Sequence, residues 1–82
     1  MSYFVYILEC SDKSLYTGIT TNIEKRLNEH NTSSKGAKYT KARRPVKLVY
    51  QEPAQDRSAA SKREYAIKKL TRTKKLQLIK TI

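Results

Sequence analysis

Residues 3–10 read Tyr-Phe-Val-Tyr-Ile-Leu-Glu-Cys, apolar at odd and even positions alike and rich in aromatic and β-branched side chains. A short run of this kind offers no face to water. It is therefore a strand covered on both sides, the central one of its sheet. Ser11 to Ser14 is a turn, and Leu15 to Thr20 (LYTGIT) is a second strand, so residues 3–20 form a β-hairpin. Gly18 is costly inside a strand and marks a place where something approaches the backbone closely.

The chain has 82 residues, enough for a single domain with a thin core. Thr21-Asn22-Ile23-Glu24 reads as a capping box, with a helix running to about Asn31. Ile23 and Leu27 face the core, while Arg26 and His30 form an i, i+4 pair on a neighbouring stripe. Residues 31–45 are polar and basic, a loop with at most one short helical turn. Pro45 introduces a third strand, Val46 to Glu52, which Pro53 ends. Asp56 N-caps a helix over Arg57 to Leu70 whose apolar arc holds Ala59, Ala60, Ala66, Ile67 and Leu70. Arg63 falls inside that arc and Glu64 at its edge, and two ionisable groups there want a reason. A last helix, Thr73 to Ile82, packs through Leu76, Ile79 and Ile82. The expected class is α+β: a three-stranded antiparallel sheet flanked by helices, in the order β-β-α-(short α)-β-α-α.

Charge narrows the function classes. Eighteen Lys and Arg against seven Asp and Glu give a formal net charge of +11. Self-repulsion on that scale costs stability, and the partner that offsets it most simply is nucleic acid. Lys35, Lys38, Lys41, Arg43 and Arg44 crowd one segment, and Lys62, Lys68, Lys69, Lys74 and Lys75 another. Cys10 is the one cysteine, expected as a small core residue in a reducing compartment. No apolar stretch approaches the roughly 20 residues of a membrane span, and no signal peptide is evident. A cytoplasmic monomer that binds DNA, with no membrane partner, is the expectation.

The chain offers no zinc-spaced His/Cys set, no glycine-rich phosphate loop and no serine-type elbow. What it does offer is a set of tyrosines, the Arg26–His30 helical pair and Glu64 on an otherwise basic helix. Phe4-Val5-Tyr6 followed by Tyr16-Thr17-Gly18 resembles the paired GIY and YIG tripeptides of the GIY-YIG nuclease superfamily. Arg26 and His30 are similar to that family's helical arginine and the histidine or tyrosine one turn later. Glu64 in Arg63-Glu64-Tyr65 resembles its single metal-binding glutamate. The resemblance covers nearly the whole chain and is closest to small stand-alone bacterial proteins with segments like LYTGIT, GAKYT, LVY and E-x-x-I-K-x-L. Phe4 departs from the family's first glycine. The family's C-terminal asparagine has no counterpart, because no Asn follows Asn31.

The resemblance implies a metal-dependent endonuclease using Mg²⁺ or Mn²⁺. Phosphodiester hydrolysis needs a base for water, charge stabilisation and help for the leaving oxygen. By resemblance, Tyr6 is the base, with its pKa lowered by the metal and nearby cations, and Tyr16 positions water or phosphate and is the rival base. Arg26 clamps the scissile phosphate. His30 bonds the phosphate or assists proton movement, Tyr39 adds a phosphate contact, and Glu64 holds one Mg²⁺.

Taken singly, each residue has an ordinary reading. The tyrosines are common strand residues, Arg26 a solvated helix position, His30 a helix C-terminal preference, Glu64 a partner of Lys68, and Gly18 a bulge. The alternative function is a basic module that binds DNA or RNA and cleaves slowly or not at all.

The two readings differ in hairpin register. If Tyr6 and Tyr16 share a site they must share a sheet face, so opposed residue numbers must sum to an even number. A regular four-residue turn over Ser11–Ser14 pairs Cys10 with Leu15, and that sum is odd. A shared site therefore requires a three- or five-residue turn, or a bulge. Arg26 and Glu64 are then expected on the tyrosine face, with Val5 and Ile7 opposite.

Overall fold

A computed structural model describes residues 2–81. The central strand expected from the apolar run is β1, Tyr3–Glu9, with β2, Leu15–Thr20, on one side and β3, Lys47–Ala54, on the other. Both pairings are antiparallel. Helices α1 (Ile23–Thr32) and α2 (Lys38–Lys41) lie between β2 and β3 in the chain, and α3 (Arg57–Lys68) and α4 (Arg72–Ile79) follow β3. Because β1 is apolar on both sides, the core has two halves. Val5 and Ile7 pack with Tyr50 and with Ala60 and Ile67 of α3, joined by Leu78 and Ile79 of α4. Tyr6, Leu8 and Cys10 pack on the other face with Val46, Ile23 and Leu27. Cys10 is a buried core residue, as its place in the apolar run suggests.

The hairpin closes through a three-residue turn. Cys10 N–H donates to the Ser14 carbonyl at 2.9 Å, and Lys13 N–H donates to the Cys10 carbonyl at 2.9 Å. Lys13 takes a left-handed conformation with φ 71°, the backbone that a three-residue hairpin needs at its last turn position. Asp12 secures the turn by accepting from the Ser14 amide at 3.0 Å and the Ser14 hydroxyl at 2.5 Å. Tyr6 consequently opposes Gly18 and Leu8 opposes Tyr16, so Tyr6 and Tyr16 share a face. This is the register that a shared site requires.

Several sequence expectations move. The α1 cap is Asn22, not Thr21: its Oδ1 accepts from Lys25 N–H at 3.0 Å, while Thr20 Oγ1 holds the Asn22 amide at 3.1 Å. Strand β3 runs past Pro53 to Ala54, because an edge strand can spare the N–H that proline lacks. Val46 lies outside β3, and the Asn31 side-chain amide serves as its partner. Val46 N–H donates to Asn31 Oδ1 at 2.7 Å, and Asn31 Nδ2 donates to Val46 O at 3.0 Å. Helix α3 ends at Lys68 rather than Leu70, and Thr71 starts α4 by accepting from Lys74 N–H at 3.2 Å. Within α4, Leu78 and Ile79 reach the core, whereas Leu76 is 36 % exposed. Ile82 lies outside the described residues. Arg63 is exposed rather than set against the core: its Nε donates to both Glu52 carboxylate oxygens at 3.0 Å, and Ala66 faces solvent.

Candidate active site

The site is built around the Tyr6 side chain, which leaves β1 and crosses the backbone of Gly18 on β2. A Cβ at position 18 would lie 2.5 Å from Tyr6 Oη and 2.7 Å from Cζ. The close approach inferred from this glycine is thus that of the Tyr6 ring, and any other residue would displace it. Crossing Gly18 takes the hydroxyl of a 3 % exposed side chain toward the open edge of the sheet, since β2 is an edge strand.

Helix α1 holds the hydroxyl from behind. Arg26 and His30 project one turn apart, and His30 Nε2 lies 2.8 Å from Tyr6 Oη. His30 Nδ1 lies 2.9 Å from Thr40 Oγ1 and 3.3 Å from the Ala37 amide. Each neutral tautomer satisfies a different subset of these contacts, and only the Nε2–H form leaves Nδ1 free to accept from Ala37. In the Nε2–H form the ring donates to the Tyr6 oxygen and accepts from the Ala37 amide. In the Nδ1–H form it donates to Thr40 and accepts the Tyr6 proton. His30 and Thr40 are both fully buried, which makes His30 the inner partner of Tyr6; of the two roles the resemblance implies, a phosphate bond would need the ring exposed and assistance in proton movement would not. Burial, and then the charge of Arg26, lower its pKa from 6.5 to about 4, so the ring is neutral near pH 7. Gly36 makes room for this packing: a Cβ there would sit 2.7 Å from the Glu29 carbonyl and 2.9 Å from His30 Cα.

Burial raises the Tyr6 pKa from 10.0 to about 12, with Tyr16 and Glu64 adding to the rise and the adjacent Arg26 opposing it. The lowered value expected from sequence is therefore not a property of the protein alone, because desolvation of the phenolate outweighs the cation beside it. Arg26 Nη1 donates to Glu29 Oε1 at 3.1 Å and to the Lys35 carbonyl at 2.9 Å. Tyr16 packs edge-on against His30 with ring centroids 5.3 Å apart and stacks on Tyr39 at 6.0 Å. Arg43 lies 3.9 Å over the Tyr39 ring and reaches Asp12 at 3.1 Å.

Glu64 approaches from the other side of the sheet, a correction to the expectation that it shares the tyrosine face. Helix α3 packs on the Val5–Ile7 face through Ala60 and Ile67, and Glu64 sits on the turn between them, beside that stripe. Arg63 and Glu64 straddle that stripe. Arg63 is bound to Glu52 of β3, and Glu64, 100° further round the helix, lies on the opposite flank, toward β2. The Glu64 charge reaches Tyr6. Its side chain is 24 % exposed and pairs with Lys68 at 3.3 Å. Among the described residues no three His, Cys, Asp or Glu side chains are grouped to hold a metal ion. A lone, partly open carboxylate is still a donor set suited to Mg²⁺, which keeps several waters and shares substrate phosphates.

The basic residues divide. Lys35, Lys38, Lys41, Lys62 and Lys69 are exposed. Arg44 is largely occupied in closing the end of α1. Its Nε donates to the His30 carbonyl at 2.6 Å, and its Nη2 donates to Ser33 O at 2.6 Å and Glu29 O at 3.3 Å. Arg43 is committed to Asp12, Tyr39 and the loop, and Lys68 to Glu64. Sequence reasoning missed Thr40, Asn31 and Glu29. A threonine one residue after Tyr39 in a basic loop gives no sign that it will be buried against a histidine ring.

Comparison with known proteins identifies the family of the chain. Residues 2–77 match the family described as the GIY-YIG catalytic domain. The UPF0213 protein of Desulfotalea psychrophila is 63 % identical over 79 residues, covering 96 % of this chain and 72 % of its own. That of Syntrophus aciditrophicus is 66 % identical over 77 residues, covering 94 % and 88 %. The solution NMR structure of a protein from E. faecalis superposes with a TM-score of 0.66 at 51 % identity, covering 99 % of this chain and 85 % of its own. That of the UPF0213 protein from Bacillus halodurans gives 0.63 at 46 % identity with the same coverage. The match runs from β1 into α4, and the chain belongs to the GIY-YIG family of nuclease domains.

Proposed function

We propose that this domain is a Mg²⁺-dependent nuclease that hydrolyses phosphodiester bonds in DNA and selects its substrate by structure more than by sequence. The observation carrying this reading is the Tyr6 hydroxyl, which crosses Gly18 to the sheet edge with His30 behind it, Arg26 beside it and the Glu64 charge within reach. Glu64 would hold the metal, Mg²⁺ or Mn²⁺, completed by waters and phosphate oxygens. When bound, the ion supplies positive charge that polarises the phosphate and eases loss of a proton nearby.

The chain's own groups do the rest. Tyr6 is protonated near pH 7 and becomes a base only when incoming positive charge offsets its desolvation. In the Nε2–H tautomer, His30 donates to the Tyr6 oxygen and steadies the phenolate without carrying charge itself. Both anchoring bonds of Arg26 run through Nη1, so the rest of its guanidinium, which also adjoins the Tyr6 hydroxyl, would clamp the scissile phosphate. Tyr16 orients water or phosphate, and Tyr39, 39 % exposed, contacts the neighbouring backbone. The exposed lysines attract DNA without reading sequence.

A second reading is a DNA- or RNA-binding module that cleaves slowly or not at all. It is favoured by the Tyr6 pKa of about 12 and by the Arg26–Glu29 pair. A cleavage assay on single-stranded, duplex, flap and junction DNA, with and without Mg²⁺, decides between them. The nuclease reading expects metal-dependent cutting by the wild type that Glu64→Ala abolishes. Binding without cutting on every substrate would select the module.

A further inference from the structure

Tyr65 is the most exposed large hydrophobic residue among those described, with 62 % of its surface open. It adjoins Glu64 in sequence and lies further round α3 on the flank that points away from the Arg63–Glu52 pair. At 100° per residue, Ala60 and Ile67 face the sheet, Glu64 lies to one side of that line on the β2 flank, and Tyr65, a further 100° round, points out to solvent. Lys69 sits 4.4 Å over the Tyr65 ring. Lys62, one turn before Tyr65, is exposed beside it. An i, i+4 Tyr–Lys contact stabilises a helix by only a few tenths of a kcal/mol. It leaves most of the ring in water, in a chain of net charge +11.

An open aromatic face flanked by lysines, on the solvent side of the helix that carries Glu64, has the make-up of a base-stacking platform. We propose that Tyr65 stacks an unpaired nucleobase of a single-stranded segment while Lys62 and Lys69 take the adjoining phosphates, so that strand leads into the site beside Glu64. This deepens the nuclease reading by naming its substrate class, and it rests on that reading for the position of the scissile bond. A base within a duplex has no free face to offer the ring, so the platform discriminates by strandedness.

The test is fluorescence anisotropy in metal-free buffer, using a short labelled single strand and a fully paired hairpin of the same composition whose stem is closed by a non-nucleotide linker. Tyr65→Ala is expected to weaken single-strand binding by roughly 5- to 100-fold and to leave hairpin binding unchanged. Tyr65→Phe, which keeps the ring, is expected to bind like wild type and controls for folding. Equal single-strand affinity in wild type and Tyr65→Ala overturns the proposal, as does an equal loss for strand and hairpin. Tyr65-dependent single-strand binding by a protein that cuts nothing would sustain the platform while removing the nuclease reading.

Discussion

The Tyr6 hydroxyl sits 2.8 Å from Nε2 of His30, a side chain with no exposed surface. The pair links the stability of the fold to the chemistry of the site. His30 is held neutral with its pKa lowered from 6.5 to about 4. A depressed histidine favours the folded state above its unfolded pKa, and that contribution disappears as pH falls toward the folded value. Urea unfolding of the wild type is expected to lose roughly 3 kcal/mol between pH 6.5 and 4 from this residue. His30→Gln should flatten that limb of the profile. Tyr6 acts at the other end. Raised from 10.0 to about 12, it stabilises the fold below pH 10, and that contribution is lost as pH climbs toward 12.

Gly18 tests the path of the Tyr6 ring. Gly18→Ala brings a methyl to 2.5 Å from Oη and 2.7 Å from Cζ, so the ring must move. Overpacking of this kind costs roughly 1–3 kcal/mol. Removing the hydroxyl will not relieve it, because Cζ remains. Gly18→Ala is therefore expected to lower the thermal midpoint by a similar amount in the wild type and in Tyr6→Phe. A midpoint unchanged by Gly18→Ala would mean that the ring does not cross this strand.

The arginines and lysines of residues 35–44 should separate experimentally. Arg44→Ala removes three hydrogen bonds to the end of α1 and is expected to cost roughly 1–3 kcal/mol of stability. It should leave the salt dependence of DNA binding unchanged. Lys35→Ala, Lys38→Ala or Lys41→Ala should do the reverse. Each phosphate that is no longer neutralised makes the slope of log K against log salt shallower by roughly 0.9 on duplex DNA. Titrations at several salt concentrations, run beside unfolding curves, read both effects.

The elements legible in the sequence were those set by a local pattern. The apolar run of β1 marked the centre of the sheet, and the Asp56 cap marked the start of α3. Parity fixed what the hairpin turn must be if the two tyrosines meet, and the turn has three residues. What was not legible depended on contacts between distant segments. The Asn31 amide that stands in for a strand partner of Val46 closes 15 residues of chain. The Glu52–Arg63 pair, which explains a charge at the edge of the apolar arc, joins β3 to α3. His30 looked like a surface helix residue because helical spacing alone does not say that the GAKYT segment folds over it.

The central claim is that Tyr6, Arg26 and Glu64 act together on a phosphodiester with a metal held by Glu64. The most direct measurement is the single-turnover cleavage rate of a DNA substrate cut by the wild type, with Mg²⁺ titrated, for wild type, Tyr6→Phe, Arg26→Ala and Glu64→Ala, with thermal midpoints taken in parallel. Loss of one group that stabilises transition-state charge typically costs 10²–10³ in rate, roughly 3 kcal/mol. The account predicts falls of about that size for Tyr6→Phe and Arg26→Ala with folding retained, and loss of the Mg²⁺ response for Glu64→Ala. Rates that match wild type in folded variants, or a metal response that survives Glu64→Ala, would contradict it.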